Sequence, residues 1–127
     1  PATYVELAKH PRIAAIKEAN GDISKIAKTA QLLGGALDIY SGNDDQIVPI
    51  MSLGGIGVIS VLSNVFPKET VELCNRFFEG DIKGANALQL HYLPPLLPQY
   101  SLCLFHATKI LHLSVCRFFH SFHKSVA

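Results

Sequence analysis

Short apolar runs alternate along this chain with longer stretches in which apolar residues recur every three or four positions. The runs are Arg12-Ile13-Ala14-Ala15-Ile16, Leu37-Asp38-Ile39-Tyr40 and Val58-Ile59-Ser60-Val61-Leu62. The first lacks period-two alternation, the mark of a strand buried on both faces. Between and around them the spacing predicts helices. One covers residues 3–10 and stops at Pro11. A second follows the Asn20-Gly21-Asp22 turn, carries Ile23, Ile26, Ala27, Ala30 and Leu33 on one face, and ends at Gly34-Gly35. A third covers 46–53. A fourth opens at Pro67, with Glu69 and Glu72 where the helix dipole favours acids, and ends at Gly80. A fifth covers 82–93 and is cut by Pro94, Pro95 and Pro98. Strand, loop and helix thus repeat three times, which predicts an α/β fold with a parallel sheet. Barrels and doubly wound sheets both satisfy that pattern.

The length, 127 residues, allows one domain of this kind. An apolar fraction of 49% and a charged fraction of 17% exclude a disordered chain. A net charge of +1 gives no general reason to expect nucleic-acid binding. Three cysteines make a disulfide framework improbable and a reducing compartment the default. The first residue is Pro1, and no signal-peptide pattern follows it, so the chain reads as part of a longer or trimmed product. Charge is distributed unevenly. All ten acids lie between Glu6 and Asp81, with seven basic residues, a net of −3. Residues 82–127 hold four basic residues, five of the six histidines and no acid. The composition therefore breaks within the last third of the chain.

Candidate chemistry sits at the strand ends, because parallel α/β folds build their sites at the C-terminal ends of strands. Lys17 stands where the first strand meets a polar loop. A lysine desolvated there is a candidate nucleophile for a carbonyl; a lysine that merely ends a strand and reaches water is the other reading. Gly42 permits a close backbone approach. Asp44 and Asp45, adjacent in sequence, read as a diverging pair, one a helix cap and one on the surface. Gly54-Gly55-Ile56-Gly57 precedes a strand instead of joining strand to helix, so it is not a phosphate loop. Ser60 and Asn64 are polar groups near the third strand end, suited to donating hydrogen bonds or to satisfying backbone.

Three blocks carry a family resemblance: Ile16-Lys17-Glu18-Ala19-Asn20-Gly21-Asp22; Tyr40-Ser41-Gly42-Asn43-Asp44-Asp45; and Gly54-Gly55-Ile56-Gly57-Val58-Ile59-Ser60-Val61-Leu62-Ser63-Asn64 with Pro67. In order and spacing they resemble the dihydrodipicolinate synthase (4-hydroxy-tetrahydrodipicolinate synthase) family over about residues 1–93. The wider group is that of the pyruvate-dependent class I aldolases, N-acetylneuraminate lyase among them. The resemblance implies a partial (β/α)8 barrel, strands six to eight with their helices. It implies that Lys17 forms a Schiff base with pyruvate, that Ile59 lines the pyruvate site chiefly through its backbone, and that Gly42 and Asn43 shape the pocket. It implies condensation with L-aspartate 4-semialdehyde in lysine and diaminopimelate biosynthesis. A cytoplasmic homo-oligomer, a tetramer in the family, is also implied, with no cofactor, nucleic acid, membrane or metal.

The family's first five strands supply a threonine pair, a proton-relay tyrosine and a substrate-guiding arginine. None has a counterpart here, and Tyr4, Tyr40, Tyr92 and Tyr100 lie outside the tyrosine's context. Weak or absent activity of this chain alone follows. A catalytically inactive barrel fragment acting by self-association is the competing expectation. Residues 94–127 read as a divergent basic tail, as from a shifted reading frame. Their helical spacing sets His106, Lys109, His112, Cys116, His120 and His123 on one face and Leu104, Ala107, Leu111, Val115, Phe118 and Phe122 on the other. His112, Cys116 and His120 have zinc-ligand chemistry but no Cys-x2-Cys partner.

Overall fold

The computed structural model describes residues 1–92. Its elements, in chain order, are α1 (Ala2–Leu7), β1 (Ala15–Glu18), α2 (Ile23–Leu33), β2 (Asp38–Ser41), α3 (Ile47–Ser52), β3 (Gly57–Val58), α4 (Pro67–Phe78) and α5 (Ile82–His91). Single 3-10 turns lie at Asp44–Gln46 and Leu62–Asn64. The three strands are parallel and ordered β1-β2-β3, so each helical crossover leads to the adjacent strand. The register pairs Ile16 with Ile39, Lys17 with Tyr40, and Tyr40 with Gly57.

Helix boundaries follow local chemistry. The Asp22 carboxylate accepts a hydrogen bond from the Lys25 amide at 3.0 Å and caps α2. Gly34 ends α2 in the left-handed conformation. Pro67 occupies the first turn of α4, where its missing N–H is not needed. Gly55 is required for close approach: a Cβ there would fall 2.8 Å from the Ile50 carbonyl oxygen. The glycine run thus packs the end of α3 against the start of β3.

The core lies on one face of the sheet. Ile16 and Ile39 point into it and meet Ile26, Leu33, Leu37 and Ile50. A second cluster, Ile47, Val48, Met51, Leu73 and Ala85, joins α3 to α4 and α5. α3 serves both clusters from opposite sides.

Three strand expectations change. β1 begins at Ala15, not Arg12, and runs through Glu18, because it must pair with β2 from Asp38 onward. It is not buried on both faces. Ala15 and Lys17 are exposed while Ile16 and Glu18 are buried, so one face of the sheet is uncovered among the described residues. β3 is two residues long, not five. Beyond Val58 only the Ile59 amide still reaches β2, donating to the Ser41 carbonyl at 2.8 Å. The Asp44 carboxylate then captures the Val61 and Leu62 amides, both at 3.0 Å, and turns the chain out of the sheet.

Candidate active site at the strand ends

Lys17 is the penultimate residue of β1, and strand alternation puts its side chain on the uncovered face. Tyr40 and Gly57 share its row across the sheet. Two residues further along the same face come Ala19, Gly42 and Ile59, the last 48% exposed. Gly42 is where the site is tightest. A Cβ on Gly42 would lie 2.6 Å from the Ala19 Cβ, 2.7 Å from the Lys17 Cε and 3.1 Å from the Glu18 carbonyl oxygen. The lysine stem therefore passes over a glycine, and Lys17 and Gly42 are in direct contact. Gly42→Val places three carbons in that space. The rate of borohydride trapping at Lys17 with pyruvate is expected to fall by at least ~100-fold, read by peptide mass spectrometry.

Asn43 lies in the loop after β2. Its amide donates to the Gln46 Oε1 at 3.4 Å, and the Gln46 Nε2 donates to the Gly21 carbonyl at 2.8 Å. That chain of contacts links the loop after β2 to the loop after β1. The Ser41 hydroxyl donates to the Asn43 carbonyl at 2.7 Å. Ser60 and Asn64 satisfy nearby backbone: the Ser60 Oγ accepts from the Ser63 amide at 2.8 Å, and the Asn64 Nδ2 donates to the Val61 carbonyl at 3.0 Å.

Two groups escaped the sequence pattern. Glu18 is only 2% exposed, on the helix-covered face, a buried carboxylate for which the sequence pattern offers no role. The Asn20 amide donates to Glu18, and the Tyr4 phenol hydrogen-bonds it as well. Burial pushes the Tyr4 phenol above its ordinary value, and the hydrogen bond and the negative charge of Glu18 add to this. The phenol therefore stays protonated and serves as a donor. Tyr4, Lys17, Glu18, Asn20, Lys25 and Thr29 line a cleft of about 540 Å³ at the end of β1. Asp44 is the second group. It is neither a helix cap nor a surface acid but the buried acceptor for the Val61 and Leu62 amides; Asp45, its neighbour, is exposed.

The dihydrodipicolinate synthetase family model matches residues 1–103, most of the chain. The chain belongs to this family. A 4-hydroxy-tetrahydrodipicolinate synthase of Caldicellulosiruptor bescii is 56% identical over 94 residues, 74% of this chain and 32% of that protein. The crystal structure of dihydrodipicolinate synthase from Aquifex aeolicus superposes with a TM-score of 0.73 at 32% identity, over 78% of this chain and 34% of that one. The chloride-inhibited dihydrodipicolinate synthase from Acinetobacter baumannii, complexed with pyruvate, gives 0.65 at 36% identity, over 69% and 30%. The fold is accordingly a partial (β/α)8 barrel. The chain spans about a third of the length of the curated relatives it matches.

No three His, Cys, Asp or Glu side chains among the described residues group as metal ligands. No helix among them is long and apolar enough to cross a membrane. The His112, Cys116 and His120 set lies outside the described residues.

Proposed function

We propose that this chain carries the Schiff-base part of a 4-hydroxy-tetrahydrodipicolinate synthase, a lyase of the class I aldolase type. The observation that carries this reading is Lys17 on the uncovered sheet face, near the C-terminal end of β1, with its stem over Gly42. The neutral Lys17 Nζ adds to the pyruvate ketone carbon. The nitrogen gives up its protons, the carbonyl oxygen leaves as water, and the imine forms. Loss of a methyl proton then gives the enamine, whose terminal carbon attacks the aldehyde of L-aspartate 4-semialdehyde. Cyclisation and transimination release the product. Ile59 offers backbone to the pyruvate at the β3 end, and Gly42 and Asn43 shape the pocket.

Turnover by the 127 residues alone is weak or absent, since the threonine pair, relay tyrosine and arginine come from strands that this sequence does not contain. Residues 1–93 are the barrel part of the sequence and 94–127 its divergent basic tail, and the whole enzyme is a cytoplasmic oligomer.

Incubation with pyruvate, borohydride reduction and peptide mapping test the reading. A single reduced adduct on Lys17 is the supporting result. Adducts spread evenly over the lysines, or none, overturn it.

One observation also favours self-association. Ile56, just before β3, and Ile59, Val61 and Val65, beyond its end, are all more than a third exposed. Exposed apolar side chains gathered around one short strand favour an interface. Sedimentation velocity across a concentration series is expected to show species larger than the monomer. A monomer at every concentration refutes it.

A further inference from the structure

Gln89 is a polar side chain on α5, a helix that supplies nothing to the Lys17 face, yet it is only 6% exposed. Both ends of its amide are committed. The Nε2 donates to the Asp44 carbonyl at 2.6 Å, and the Oε1 accepts from the Val48 amide at 3.2 Å. Gln89 thereby fastens the 3-10 turn after β2 to the first turn of α3. Asp44 in turn holds the Val61 and Leu62 amides on its carboxylate. The residues so tied flank Gly42 and Asn43 on one side and Ile59 on the other. Aliphatic packing would fill the same space without fixing a direction. A bidentate amide fixes two backbone groups at once, and a buried amide that loses a partner carries a large penalty.

We propose that Gln89 is a positioning residue for the Schiff-base site, setting the β2-end loop and, through Asp44, the segment after β3. This rests on the reading of Lys17 given above. Gln89 touches neither Lys17 nor substrate; it acts through the loop that forms the floor under the lysine. A misplacement of about 1 Å at such a floor costs up to ~100-fold in rate.

The test uses the full chain and two variants. Gln89→Leu keeps volume and removes both hydrogen bonds. Gln89→Glu keeps the acceptor for the Val48 amide and places a second acceptor against the Asp44 carbonyl. Protonation restores the donor, and burial raises the carboxyl into the accessible range. Borohydride trapping is titrated with pyruvate, and amide hydrogen exchange is followed in parallel. For Gln89→Leu the half-saturating pyruvate concentration is expected to rise about tenfold or more, with faster exchange at Val48, Val61 and Leu62 and unchanged exchange along α2. For Gln89→Glu, trapping relative to the unsubstituted chain is expected to recover as pH falls from about 8 to about 6. An unchanged pyruvate dependence in Gln89→Leu overturns the proposal. So does faster exchange throughout, including α2, since Gln89 would then act only on general stability. A flat pH ratio for Gln89→Glu also overturns it. Failure of the unsubstituted chain to form any Lys17 adduct overturns the Lys17 reading itself, a result distinct from the other three.

Discussion

Lys17→Ala is expected to leave no pyruvate adduct after borohydride reduction, and Lys17→Arg to be equally silent. The pair separates nucleophile from charge. Alanine removes both. Arginine keeps a cation of similar reach, but its guanidinium remains protonated and does not form the imine. Trapping in Lys17→Arg at more than about a tenth of the original level would mean that another lysine does the chemistry. Lys25 is the internal control, because it lines the same cleft and is primary-amine chemistry within reach of the same ligand. Lys9 is bound by Glu6 at 2.7 Å, and the Lys28 Nζ donates to the Gln31 Oε1 at 2.9 Å. Lys25→Ala should retain most of the adduct. Should it lose the adduct instead while Lys17→Ala keeps it, the nucleophile is on α2 and the assignment moves there.

The second large effect concerns stability. Ile26 is fully buried, on the face of α2 that it shares with Leu33 and that meets Ile16, Leu37, Ile39 and Ile50. Truncation of a buried isoleucine to alanine costs about 2–5 kcal/mol. Small domains hold only about 5–15 kcal/mol in total. A sheet covered on one face starts from the low end of that range. Ile26→Ala is therefore expected to abolish the cooperative urea transition seen by far-ultraviolet circular dichroism, or to move its midpoint to very low denaturant. Val71, 58% exposed on α4, supplies the contrast. Val71→Ala should shift stability by no more than about 0.5 kcal/mol. Equal losses from both variants would contradict the assignment of the core to the helix-covered face.

The repeating units, the caps at Asp22 and Gly34 and the position of Lys17 were legible because each is a local pattern: apolar spacing, a capping residue, a strand meeting a loop. The family blocks added the barrel. The extent of β3 was not legible. Val58-Ile59-Ser60-Val61-Leu62 has strand propensity throughout, but the decision rests with a carboxylate at Asp44, seventeen residues from Val61. Gln89 was hidden for the same reason, its partners lying 41 and 45 residues away. Strand alternation puts Glu18 on the buried face with Ile16; what spacing does not show is that Tyr4, from α1, and Asn20, from the following turn, meet its carboxylate there. For β3 and for Gln89 a nonlocal hydrogen bond overrode a local preference.

The opposite orientations of Lys17 and Glu18 bear on how β1 finds its place. The two are consecutive, one on the open face and one against the helices. Sliding β1 by one residue against β2 would exchange their faces, driving an ammonium onto the helix-covered side and leaving the Tyr4 and Asn20 donors without their acceptor. The pairing that buries the acid is thus the same pairing that presents the amine.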